Sequence, residues 1–219
     1  MHSEASKYAA FVFDLDGTLV DSRPAIEKAA QVAVAEVLPA FCGRPVTTVI
    51  GPPIRQMFRL ALDAPDEATL DRLVAAFRQV YDSGVCRETI AYPGVVKLLT
   101  AIGTSGASSF VLTNKPDKPT RQILEQLDCV KHVREIVTPD CPTHPFKAKA
   151  EALASLLQRH TLAPEATIMV GDSIDDATAA ETCGVTFAAA VYGYGGLQPP
   201  HPKNWLTIHC VDDMLTLLD

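Results

Sequence analysis

Two short acidic stretches could do chemistry together. Asp14-Leu15-Asp16-Gly17-Thr18 closes the apolar run Ala9–Leu15, and Gly171-Asp172-Ser173-Ile174-Asp175-Asp176 closes the apolar run Thr167–Gly171. Each run reads as a strand, so five carboxylates are expected at strand ends. Carboxylates gathered at one edge repel and raise one another's pKa. A hard cation with oxygen ligands removes that conflict, and Mg²⁺ usually takes one or two carboxylates together with a substrate phosphate. A third strand end, Thr113-Asn114-Lys115-Pro116, supplies a hydroxyl and, with Pro116 as a favoured first helical residue, the free N–H groups of a helix start that bind anions. Lys147 opens a further predicted helix after the proline-rich stretch Pro139–Pro145 and could hold a phosphoryl oxygen. Carboxylates, a cation site, a hydroxyl, helix-start amides and a lysine suit phosphoryl transfer, where catalysis is chiefly positioning and charge neutralisation.

These groups must be brought to one place by the elements that carry them. Candidate strands are Ala9–Leu15, Ser109–Thr113, Val133–Thr138, Thr167–Gly171, Phe187–Val191 and Leu206–Val211. Several are continuous apolar runs, as expected of parallel strands covered on both faces. Helical patterns lie between them, near Val95–Ile102, Pro116–Leu127, Lys147–His160 and Asp176–Cys183. The alternation predicts an α/β fold with a doubly wound, mostly parallel, Rossmann-like sheet, whose ligands bind outside the carboxyl ends of the strands. One segment breaks the pattern. From Pro24 to Val85 three amphipathic helices follow one another, with Ile54, Met57, Phe58, Ala61 and Leu62 on one face and Leu70, Leu73, Val74, Phe77 and Tyr81 on another. The economical division is an α/β core of residues 1–20 and 90–219 and an inserted all-helical cap of residues 21–89.

Composition bounds the function from outside. The 219 residues are 47% apolar, enough for a buried core, and the net charge of −7 disfavours a general nucleic-acid binder, which needs cations for phosphates. No run approaches the length of a membrane span, and MHSEASKYAA lacks the basic start and apolar stretch of a signal peptide, so a cytoplasmic protein is expected. The six cysteines, Cys42 among them, form no C-x-x-C pair, and the six histidines, from His2 to His209, show no metal-ligand spacing.

FDLDGTLVDS (Phe13–Ser22), LTNK (Leu112–Lys115), the lysine of FKAKAEAL (Phe146–Leu153) and GDSIDDATAAETCG (Gly171–Gly184) together resemble the four ordered motifs of the haloacid dehalogenase-like hydrolase superfamily. AYPGVVKLL (Ala91–Leu99) resembles that family's return from cap to core, and AVYGYGG (Ala190–Gly196) resembles the tail of phosphoglycolate-phosphatase-like members. The resemblance implies a role for each matching residue. Asp14 is the expected nucleophile, forming an aspartyl-phosphate, and Asp16 the acid that protonates the leaving oxygen and then activates water as a base. Thr113 and the Asn114 amide hold the phosphoryl group, and Lys147 neutralises its charge. Asp14, Asp172 and the Asp16 main-chain carbonyl hold Mg²⁺, with Asp176 supporting the metal's waters or the lysine. The dehalogenase branch lacks an acid two positions past the nucleophile, so Asp16 argues against dehalogenation.

Two positions depart from the pattern. Close relatives read Lys-Pro-x-Pro where this chain reads Lys147-Ala148-Lys149-Ala150. Counting back from Glu151-Ala152-Leu153 selects Lys147, with Lys149 as the alternative. In the fourth motif the spacing selects Asp176 over Asp175, and Ser173 reads as a helix cap. Arg55, in GPPIRQMF of the cap, is the residue expected to reach a substrate carboxylate or second phosphate. The expected function is therefore a Mg²⁺-dependent phosphatase acting on a small phosphorylated metabolite, as a monomer or homodimer, without nucleic-acid or membrane partners. A β-phosphoglucomutase-like transferase, a pyrophosphatase and a non-catalytic phosphate-binding module are the alternatives.

Overall fold

Alternation along β1 (Ala10–Phe13) sets the architecture. Ala10 and Val12 point to one face of the sheet and Phe11 and Phe13 to the other, and all four are buried. The strand therefore has to be covered on both sides, which is why it reads as an unbroken apolar run. The computed structural model describes residues 7–41, 52–62 and 65–218. Cys42 and His2 lie outside the described residues.

Six parallel strands form the sheet, in the order β5 (Glu135–Val137), β4 (Ser108–Leu112), β1, β6 (Thr167–Gly171), β7 (Thr186–Ala190) and β8 (Leu206–Ile208). They match the six expected strands to within a few residues at each end. Phe13 pairs with Val111 of β4 on one side and Val170 of β6 on the other, so three strands end side by side at the middle of the sheet. One face is covered by α6 (Lys149–His160) and α7 (Ile174–Thr182) through Leu153, Leu156 and Ala180. The other is covered by α4 (Val95–Thr104) and α5 (Asp117–Gln126) through Leu98, Leu99 and Ile123.

The chain leaves the sheet through β2 (Val20–Asp21) and returns through β3 (Ile90–Ala91), which pair antiparallel. The regular elements between them are helical among the described residues: α1 (Arg23–Val37), α2 (Ile54–Ala61), α3 (Glu67–Tyr81) and single 3₁₀ turns. Pro24 sits in the first turn of α1, where its missing N–H costs nothing. Ala29, Ala30 and Ala33 are buried on one face of α1, and that small-residue face lets α3 pack closely. Asp66 caps α3 by accepting from the Thr69 N–H at 2.7 Å. Phe58 of α2 meets Phe77 of α3 edge to face, which closes the helical layer. No described helix is long and apolar enough to cross a membrane.

Candidate active site

Asp14 is the first residue beyond β1, and its N–H still donates to the Val170 carbonyl of β6 at 2.9 Å. Its carboxylate is thus placed by the end of the sheet ladder itself. Thr113 follows β4 and Asp172 follows β6, so the two flank Asp14 on neighbouring strands. This is the point in an open α/β sheet where ligands bind.

A lysine from α6 closes the arrangement, and it is Lys149. Its ammonium, almost wholly buried, donates to Asp14 Oδ1 at 2.9 Å and Asp176 Oδ1 at 2.6 Å. Burial alone would push this ammonium down, but Asp14 and Asp176 beside it reverse the effect and hold it charged. Lys147 was the expected residue and Lys149 its alternative; the structure places Lys147 exposed, in the stretch before the helix, on the lining of the cleft. The reason is the helix start. Ala148 is the N-cap of α6, so the first inward-facing helical position falls on Lys149. Asp176 was expected, and it has a double attachment. Its second oxygen accepts from the Ser173 hydroxyl at 2.6 Å and the Ser173 N–H at 3.0 Å, while its own N–H returns to Ser173, a capping box that fixes the start of α7. Asp175 is exposed on the cleft lining and accepts from the Asn114 amide at 2.8 Å.

Asp172 is nested by glycines. Its Oδ2 accepts from the N–H groups of Tyr194 at 2.6 Å and Gly195 at 3.0 Å. A Cβ on Gly17, whose φ is +83°, would stand 2.2 Å from that same oxygen, and a Cβ on Gly195 would stand 2.0 Å from the Asp172 carbonyl. Burial, with help from the Asp176 charge, pushes the Asp172 carboxyl up to about 6, against the pull of the two N–H groups. Asp14 is likewise raised, first by burial and then by Asp176 and Asp172, and Lys149 opposes the rise. A carboxyl raised on folding binds extra protons in the folded state, so Asp172 destabilises the metal-free fold above about pH 6 and ceases to do so as pH falls toward 3.8. In chelator, the Tm of the wild type should therefore rise between pH 7 and pH 5 relative to that of Asp172→Asn. Parallel Tm profiles for the two proteins by calorimetry would contradict this.

Asp16 faces a different partner. Both its oxygens accept from Lys115 Nζ at 2.8 Å, and this buried ammonium also lies over the Tyr81 ring, 5.1 Å from its centroid. Lys115 ends the LTNK stretch, and no periodicity in the sequence marks it as buried. Burial lowers it, but Asp16 and Tyr81 more than compensate and keep it charged. Thr113 is buried, and its hydroxyl accepts from the Lys115 N–H at 3.2 Å. The expected free helix start after it is partly filled: Pro116 is the N-cap rather than the first helical residue, and the Asp117 N–H donates to Asp140 at 2.8 Å.

Above these groups lies a cleft of about 860 Å³ between the sheet edge and the helical layer. Gln56, Met57, Arg78 and Tyr81 face it from the helices. Arg55 does not. Its guanidinium, expected to reach the substrate, pairs instead with Glu67 at 2.7 Å and Asp71 at 2.6 Å on α3. Glu67 and Asp71 stand one turn apart, and their spacing was the available sign of a partner within the helical layer. Arg55→Ala should leave KM for any accepted substrate within about twofold of wild type, because exposed pairs of this kind contribute little. A larger KM change in steady-state assays would restore Arg55 to the site.

Asp14, Asp172 and Asp176 bring carboxylate oxygens within 4.8 Å of one another, all buried. Three carboxylates face one ammonium, so with all three ionised the buried cluster would carry two uncompensated negative charges. An all-oxygen donor set with that excess fits one hard divalent cation such as Mg²⁺.

The strand-end acids, the buried lysine and the helical layer over them define a class. Residues 11–190 match the model of the haloacid dehalogenase-like hydrolase family, and the chain belongs to that family. Within it the chain is similar to phosphoglycolate phosphatases. Phosphoglycolate phosphatase 1 of Pseudomonas aeruginosa is 33% identical over 95% of this chain and 79% of that protein. The N-acetylmuramic acid 6-phosphate phosphatase of the same organism is 30% identical over 96% of this chain and 93% of that protein. Among solved structures, a haloacid dehalogenase-like hydrolase of Streptococcus pneumoniae superposes with a TM-score of 0.77, covering 97% of this chain and 99% of that one at 24% identity, a likeness of fold.

Proposed function

We propose that the protein is a Mg²⁺-dependent phosphomonoesterase that works through an aspartyl-phosphate on Asp14. The observation that carries this reading is the buried ammonium of Lys149 shared between Asp14 and Asp176, with an Asp172 oxygen within 4.8 Å of an oxygen of each. Asp14, Asp172, the Asp16 carbonyl and Asp176 are the residues that would hold the cation. Bound there, Mg²⁺ supplies charge neutralisation between the nucleophile and the phosphate.

The chain's own groups do the rest. Asp14 attacks phosphorus, and the bond to the leaving oxygen breaks as Asp16 gives that oxygen a proton. Asp16 then takes a proton from the water that attacks the acyl phosphate, which returns phosphate and restores Asp14. Thr113 and the Asn114 N–H hold phosphoryl oxygens, Lys149 keeps Asp14 from repelling the incoming dianion, and Lys115 orients the Asp16 carboxylate. Residues 21–89 act as the cap over a core of residues 1–20 and 90–219, and the cleft residues Gln56, Met57 and Arg78 meet the leaving group.

The relatives' names point to small phosphate esters as substrates. The test is a panel of phosphomonoesters, with 2-phosphoglycolate and N-acetylmuramic acid 6-phosphate among them, assayed for free phosphate with and without Mg²⁺. Release of phosphate that depends on Mg²⁺ is expected. No turnover of any ester with any divalent ion would overturn the reading.

A further inference from the structure

The segment AVYGYGG (Ala190–Gly196) takes no part in the chemistry above, yet its Tyr194 touches two distant places. Its backbone N–H is one of the two donors on Asp172 Oδ2, at 2.6 Å. Its phenol, at the other end of the side chain, donates to the Asp21 carboxylate and accepts from the Arg23 N–H at 3.1 Å. The Arg23 guanidinium lies over the same ring, 4.6 Å from its centroid. Asp21 is the last residue of β2 and Arg23 the first of α1, so these contacts grip the outgoing connection to the helical layer. A second tyrosine spans both connections, and Tyr194 itself also reaches the Tyr92 side chain on the returning one. Tyr192 donates to the Thr18 carbonyl at 2.6 Å and packs edge-on against Tyr92, just past β3, at 4.9 Å between centroids.

This loop has no slack at its Asp172 end, where Gly195 lies against the Asp172 backbone too closely for any side chain. A displacement of Asp21 therefore pulls on the Tyr194 side chain or breaks its bonds, and that side chain and the N–H that holds Asp172 belong to one residue. The phenol is raised, first by burial and then by Asp21, so it stays a donor.

We propose that Tyr194 is a positioning residue that couples the hinge of the helical layer to Asp172, so that divalent-ion binding and seating of that layer favour each other. The proposal rests on the reading of Asp172 as an ion ligand. Coupling between two equilibria is reciprocal, so each must shift the other by the same factor.

The test is hydrogen–deuterium exchange on the full chain in chelator and in saturating MgCl₂, with Mg²⁺ affinity from calorimetry. In the wild type, Mg²⁺ should slow exchange of the hinge amides at 20–23 and 89–92 by about fivefold or more. In Tyr194→Phe, which keeps the ring and its stacking, the slowing should fall below about twofold and Mg²⁺ affinity should weaken. Asp21→Ala, made from the hinge side, should give the same loss. Tyr192→Phe, which frees the Thr18 carbonyl but not Asp172, should retain the Mg²⁺ effect. Wild-type protection in Tyr194→Phe, or an equal loss in Tyr192→Phe, would overturn the proposal. Mg²⁺ binding to the wild type without hinge protection would overturn the coupling alone. No Mg²⁺ binding at all would instead remove the metal reading on which it stands.

Discussion

Asp14→Asn should lower turnover by at least about 10⁴-fold while leaving the protein folded, because an amide of the same shape cannot form the acyl phosphate. The stability half of the result is as informative as the kinetic half. Asp14 is a buried carboxylate raised by its own burial and by two neighbouring acids, so in the absence of an ion its charge opposes folding. Removing that charge should raise the Tm in chelator, against the usual direction for a core substitution. Acid quench with labelled ester should trap a phosphoenzyme at residue 14 in the wild type and none in the variant. Turnover near wild type in Asp14→Asn would eliminate the nucleophile assignment.

Lys149→Met carries the second large effect. The substitution leaves Asp14 and Asp176 buried with no counter-charge, and breaking a buried pair from one side costs about 3–5 kcal/mol. For a chain of this size that corresponds to a Tm loss on the order of 10 °C, accompanied by loss of turnover. Lys147→Met, two residues away and exposed, should move Tm by about 1 °C or less. Thermal melts and assays of the two variants side by side decide which lysine serves the site. Equal behaviour of the pair, or a larger effect at Lys147, would reverse the assignment.

The contrast between these lysines marks where the sequence stops being readable. The sheet was legible because its strands are buried on both faces, and runs such as Phe11-Val12-Phe13 and Ile168-Met169-Val170 have no other comfortable place. The acids and Thr113 were legible because they stand at the ends of such runs. The helix start at Lys149 was not, because Ala148 is an N-cap without a capping side chain and nothing local marks the boundary. Lys115 was missed for a related reason. A lysine becomes a buried residue only through its partners, and Asp16 and Tyr81 lie far away in sequence, one on each side of the cleft. Arg55 shows the converse: its cationic charge suggested an external partner, and α3 supplied one from within.

The pairing of β1 with β4 and β6 carries one more consequence. Asp14 emerges from β1, which backbone hydrogen bonds hold about 4.8 Å from each of its two neighbouring strands, among the stiffest dimensions a protein has. The sheet thus serves as a ruler for Asp14, Thr113 and Asp172, the groups that stand directly at its strand ends. The helical layer's two entry points, β2 and β3, are short and adjacent, so a different helical layer could be grafted there. Such a chimera would keep the strand-end distances of Asp14 and Asp172 while replacing Tyr81 beside Lys115.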